Sequence, residues 1–174
     1  MVTTTLVFGV MLAEAVAVEA TTHEEVDDYY TILFELYKDK VKRPLFSLDF
    51  FHQLMEKPFA HLILVKYQEE VVGGSLCLEL KSRTLYEWCV CGRDYEWRNV
   101  HPSELATYAA IALAVRQGCQ CFDMMGAGEP GKAYGVRDFK AHFGGVLMEH
   151  GRFLFRCRPL IYRMGELVIN MKSK

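Results

Sequence analysis

Four glycines, Gly126, Gly128, Gly131 and Gly135, fall within ten residues. They follow Phe122-Asp123 and precede Asp138-Phe139-Lys140-Ala141-His142-Phe143-Gly144. Glycine loses more conformational freedom on folding than other residues, so a loop this rich in it marks a place where backbone must approach something closely. Loops carried by a rigid scaffold are also where binding and catalysis concentrate. Lys140 offers an ammonium beside two phenylalanines. Asp123 and Glu87 offer carboxylates, and burial of Glu87 beside Trp88 would raise its pKa toward the range useful to a general base. Each has a plainer reading: Lys140 as an exposed helix lysine, Asp123 as a turn residue bonded to its own loop amides, Tyr134 as a satisfied loop tyrosine. His101 and His142 have no partner pattern, and no Ser-His-Asp or Cys-His arrangement occurs.

The elements that must position these groups follow from periodicity. Val16–Glu19 predicts a short strand. Thr21-Thr22-His23-Glu24-Glu25 predicts a capping box, and Val26, Tyr29, Tyr30, Leu33, Leu36 and Tyr37 recur at helical spacing. After Pro44, Ser47 caps a second helix bearing Phe50, Phe51, Leu54 and Met55. Residues 60–67, 70–80 and 84–91 are rich in β-branched and aromatic residues with short connections, a three-strand antiparallel meander. Gly73-Gly74 inside the second of these predicts a bulge or a close approach by backbone or ligand. Ser103 is expected to cap an alanine-rich helix over 104–117 that ends at Gly118. A strand over 119–125 follows, parallel to one before the helix. A short helix over 136–143, a strand or hairpin over 147–156 and a last helix from Pro159 complete the order. The order describes a single α+β domain with a mixed sheet flanked by helices, spanning 1–174, with residues 1–15 an uncertain N-terminal strand segment.

At 174 residues, 51% hydrophobic and 24% charged, the chain can bury a substantial core. Its formal charge of -2 gives no general reason to bind nucleic acid or an anionic membrane. Lys38, Lys40, Lys42 and Arg43 read as a solvated helix end. The apolar stretch 6–18 is too short to span a bilayer, contains Glu14 and has no basic residue before it, so it reads as strand material rather than a leader, and a cytoplasmic location is expected. Cys89/Cys91 and Cys119/Cys121 could bring four thiolates together. Structural zinc favours a two-residue gap, so these cysteines read as buried small hydrophobes, and no metal is expected.

The element order, together with Pro44–Phe51, Val71–Leu76, Gly118–Asp123 and Asp138–Gly144, resembles the GNAT acyltransferase fold, and within it the FemAB-like and BioF2-like branch that includes peptidoglycan-bridge aminoacyltransferases. The resemblance covers residues 16–154. It implies transfer of an acyl or aminoacyl group from a coenzyme A thioester or aminoacyl-tRNA to a primary amine, with the donor as substrate and no permanent cofactor. The acceptor would be a small molecule or a peptidoglycan precursor, in cell-wall or polysaccharide metabolism. By resemblance Lys140 lies at the acyl-transfer centre, where a fixed ammonium stabilises an oxyanion. Asp123 and Glu87 become base candidates, and Phe139, Tyr134, Gly126, Gly128, Ser103 and Phe143 donor or substrate contacts. The chain lacks the Arg/Gln-x-x-Gly-x-Gly/Ala loop that holds coenzyme A pyrophosphate in ordinary GNAT enzymes. The equivalent segment 93–103 has no glycine, and FemAB-type enzymes usually carry two such domains. The alternative is a non-catalytic binding or assembly module. An uncovered flank, either 6–11 or Leu85–Trp88, predicts a homodimer.

Overall fold

The computed structural model describes residues 15–172 except Ser82, His150, Arg152 and Phe153. The apolar segment 6–11 lies outside the described residues. The chain forms two units: one holds the residues through Leu36 and Phe46–Gly126, the other Tyr37–Leu45 and Ala127 onward.

In the first unit, β1 (Ala15–Glu19), β2 (Ala60–Tyr67), β3 (Glu70–Leu80), β4 (Thr84–Gly92) and β5 (Cys121–Asp123) form one sheet in the order β1-β2-β3-β4-β5. The first four strands are antiparallel and β5 is parallel to β4. Gln68 and Glu69 turn β2 into β3 with φ of 50 and 68°, the left-handed pair that a two-residue hairpin requires. Helix α1 (His23–Leu36) begins in the capping box expected for it: the Thr22 hydroxyl accepts from the Glu25 amide at 3.2 Å, and Glu25 accepts from the Thr22 amide at 3.1 Å. Ser47 accepts from the Phe50 amide to start α2 (Leu48–Met55), of which only Phe51 is buried.

The Gly73-Gly74 pair explains how the sheet is covered. Register slips between Val65 and Lys66, leaving Val72 as the extra residue of a bulge. A Cβ on Gly74 would meet the Tyr29 ring of α1 at 2.9 Å, and one on Gly73 would meet Pro102 at 2.9 Å, at the start of α3 (Pro102–Arg116). Successive strand residues face opposite sides, so α1 and α3 pack on opposite faces of the sheet. The alanine-rich side of α3 (Ala109, Ala110, Leu113, Ala114) packs with Ala17, Ile63, Cys77 and Leu85. From α1, the Tyr29 hydroxyl crosses to donate to the Cys89 carbonyl at 2.8 Å.

Several expectations shift. Helix α3 starts at Pro102, one turn position before Ser103, because proline suits the first helical position. His101 precedes it with φ 50° and no side-chain cap. The expected strand 119–125 shortens to β5, since Cys119 and Gln120 complete the turn after α3. No strand forms among the described residues of 147–156. Strand β4 is no uncovered flank: it lies between β3 and β5, and Leu85 is fully buried. In the second unit a π-helical segment, Tyr37–Val41, carries Lys38 and Lys40, both exposed. Helices α4 (Gly135–Ala141) and α5 (Pro159–Lys172) follow.

Candidate active site

The parallel pairing of β4 with β5 covers Thr84↔Cys121, Leu85↔Phe122 and Tyr86↔Asp123 and then stops. Past that point β4 runs on to Gly92 paired with β3 alone, while the chain beyond Asp123 leaves the sheet. Among the described residues, that side of β4 has no strand partner beyond this splay at Tyr86. A second bulge falls here: Leu76 pairs with Cys89 and Cys77 with Glu87, so Trp88 is the extra residue. Bulges re-aim the side chains beside them.

Glu87, the first residue of β4 beyond the splay, is 3% exposed and accepts from the Ser75 hydroxyl at 3.1 Å. Ser75 also lies 3.5 Å from the Cys77 sulfur. Burial pushes the Cys77 thiol up to about 12, with the nearby Glu87 charge adding to the effect, so this thiol is inert as a nucleophile. Burial likewise holds the Cys91 thiol well above its usual range. On the other face of β4, Trp88 meets Phe46, Phe50 and Phe51 with ring centroids 5.7–6.4 Å apart.

Asp123 ends β5 and accepts from the Met125 amide at 2.7 Å, an Asx turn that directs the chain out of the sheet toward Gly126. Met125 carries φ 61° there. Ser103 donates both its amide (3.0 Å) and its hydroxyl (2.6 Å) to the Asp94 carboxylate. A Cβ on Gly92 would sit 2.7 Å from that same amide, so β4 closes directly on the first turn of α3. The glycine-free segment 93–101 is built from consecutive turns: the Glu96 and Trp97 amides donate to the Arg93 carbonyl, and those of Val100 and His101 to the Trp97 carbonyl.

The remaining candidates lie in the second unit. Gly128 (φ 78°) packs under Tyr134, whose ring lies 2.6 Å from where a Cβ would stand. Tyr134 is exposed at the N-cap of α4. Lys140 is half-buried in the last turn of α4, where a cation complements the helix dipole. Phe139 and Phe143 flank it in sequence and pack edge to face, 5.3 Å between centroids. Sequence reasoning passed over Arg137. Its guanidinium donates to the carbonyls of Ala127 (2.9 Å), Lys132 (2.9 Å) and Glu129 (2.6 Å), holding the glycine-rich loop in shape. A lone arginine on a short helix carries no spacing signal, so only geometry shows this role. Thus Glu87, Asp123, Ser103 and Gly126 belong to the first unit, and Gly128, Tyr134, Phe139, Lys140 and Phe143 to the second.

The family model of the acetyltransferase (GNAT) domain matches residues 11–140. The chain belongs to the GNAT acetyltransferase family. Solved GNAT structures share its fold. Ribosomal-protein-alanine N-acetyltransferase from Brucella melitensis biovar Abortus 2308 is 9% identical at a TM-score of 0.59, covering 82% of this chain and 98% of its own. An aminoglycoside acetyltransferase from an uncultured soil metagenomic sample, in complex with sisomicin, is 11% identical at 0.55, covering 82% and 97%. AAC(6')-Iy, in complex with the bisubstrate analog CoA-S-monomethyl-acetylneamine, is 9% identical at 0.57, covering 84% and 99%. No curated protein matches the chain in sequence. Among the described residues, no helix is long and apolar enough to cross a membrane.

Proposed function

We propose that this GNAT domain transfers an acyl group from a thioester donor to a primary amine. The observation that carries the reading is the splay of β4 from β5 after Tyr86↔Asp123, with the buried, hydrogen-bonded Glu87 at its root. In the reaction the amine nitrogen attacks the thioester carbonyl, a C–N bond forms, and collapse of the tetrahedral intermediate breaks the C–S bond. Glu87 or Asp123 takes the proton lost by the amine. Of the second unit, Lys140 is proposed on the family resemblance alone as the ammonium for the oxyanion and Tyr134 as the proton donor to the leaving thiolate. Gly126 and Ser103 of the first unit, and Gly128, Phe139 and Phe143 of the second, are the proposed donor or substrate contacts. Positioning contributes most of the rate, since fixing two reactants in attack geometry removes much of the entropic barrier.

Coenzyme A thioester is the donor favoured by the family, and the coenzyme-derived ligand of AAC(6')-Iy supports it. The aminoglycoside acetyltransferase bound to sisomicin supports a small amine acceptor. An aminoacyl-tRNA donor, a peptidoglycan-precursor acceptor and a cell-wall role depend on the FemAB-like likeness of Pro44–Phe51 and Asp138–Gly144. Titration calorimetry with acetyl-coenzyme A and with aminoacyl-tRNA tests the reading: one should bind, and failure of both would contradict it. One observation favours the second reading, a non-catalytic module: the amide and hydroxyl of Ser103 are already committed to Asp94.

A further inference from the structure

Helix α1 places His23 and Asp27 four residues apart, hence on one face, and α2 inserts His52 between them. His52 Nε2 lies 2.6 Å from Asp27 Oδ1, and His52 Nδ1 lies 3.1 Å from His23 Nδ1. The rings meet edge to face, 4.6 Å between centroids. A carboxylate beside Nε2 fixes the proton of neutral His52 on that nitrogen and leaves the Nδ1 lone pair directed at His23. One proton then bridges the two Nδ1 atoms. We propose that this pair is a chelating site for a divalent transition metal, the ion taking the place of the shared proton, which moves to His23 Nε2 so that both rings ligate as neutral imidazoles. With metal–nitrogen bonds of about 2.0–2.1 Å, nitrogens 3.1 Å apart subtend about 100° at the metal, between the octahedral and tetrahedral angles. Asp27 then serves as the outer carboxylate that orients a ligating histidine. His23 is exposed and the His52 side chain is 25% exposed, so an ion can reach both. The capping box, with the Lys66–Glu25 ion pair at 2.7 Å, holds the first turn of α1 and therefore His23 in place. No group of three or more His, Cys, Asp or Glu side chains among the described residues is arranged to hold a metal ion together, so the two imidazoles are the protein's donors and water completes the shell.

Titration calorimetry with nickel(II) on the full chain tests the site. Nickel suits imidazole, and the histidine variants separate this site from any binding at the exposed thiols of Cys121 and Cys157. The wild type should show a saturable site whose affinity falls at least tenfold in both His23→Ala and His52→Ala, and about tenfold in Asp27→Asn. Nickel should raise the thermal midpoint of the wild type but not of His23→Ala. His23 is exposed, so that variant reads the site even if His52→Ala fails to fold. Equal nickel affinity in the wild type and His23→Ala would overturn the proposal and leave the pair as a hydrogen-bonded clamp between α1 and α2. The result is independent of acyl transfer.

Discussion

Glu87 and Arg137 show how single side chains set the chemistry available here. Glu87 is held by the Ser75 hydroxyl at the point where β4 loses its parallel partner, so its carboxylate is fixed in a buried setting. Arg137 spends its planar fork on three carbonyls of the glycine-rich loop. Lysine keeps the charge but cannot reproduce that fork. Both Arg137→Lys and Arg137→Ala should therefore loosen residues 127–132, with a loss of roughly 1.5–3 kcal/mol for hydrogen bonds to a charged group. Limited proteolysis within the loop reads the effect, and unchanged cleavage in Arg137→Ala would contradict it. The glycine run was visible in the sequence as a place of close approach. What approaches was not: under Gly128 it is the ring of Tyr134, a contact made by residues whose types carry no pattern.

At the scale of elements, the contact between β4 and the start of α3 is the tightest backbone approach beside the splay. A methyl at Gly92 would meet the Ser103 amide, an atom that cannot swing away. Gly92→Ala should cost about 1–3 kcal/mol, as overpacking does, measured by chemical denaturation; a loss below a few tenths would refute the close packing. Electrostatics act in two places, one tying β2 to α1 and the other tying β1, β2 and β3 to one another. Burial alone would raise the Glu25 pKa, but the Lys66 ammonium and the Thr21 and Thr22 amides hold it down to about 2. Its contribution is complete above the ordinary carboxylate range and fades as pH falls toward 2. His61 is shifted the other way, raised by its hydrogen bond to Glu19, against burial, with Glu79 adding to the rise. Its contribution is complete below the ordinary imidazole range and fades as pH rises through the raised value. Unfolding free energy measured against pH should thus decline on both sides, and His61→Ala should flatten the alkaline limb. An alkaline limb unchanged in that variant would contradict the assignment. The meander, the α1 capping box and the Ser47 cap were legible because each rests on local spacing. The start of α3 was not, because its amide cap comes from Asp94, nine residues away from Ser103.

For the whole molecule, the GNAT family and the α+β fold class were legible from element order together with short segments such as Asp138–Gly144, while the donor contacts were not. Segment 93–103 lacks the glycines of a pyrophosphate loop, and its turns direct Asp94 onto Ser103 instead. Self-association can no longer rest on β4, where Leu85 is buried. The other flank, segment 6–11, lies outside the described residues, and it remains the proposed contact of a homodimer. Light scattering should then give twice the 20.0 kDa of one chain, and a single-chain mass would exclude the dimer.

Acyl transfer itself is tested most directly by amine-dependent release of free thiol from acetyl-coenzyme A, followed across a panel of primary amines for the wild type and Lys140→Ala. We predict turnover that requires the amine and falls about 10²-fold in Lys140→Ala, the loss typical of removing an oxyanion donor, with the thermal midpoint unchanged. Thiol release that ignores the amine, or that proceeds equally in Lys140→Ala, would contradict the account.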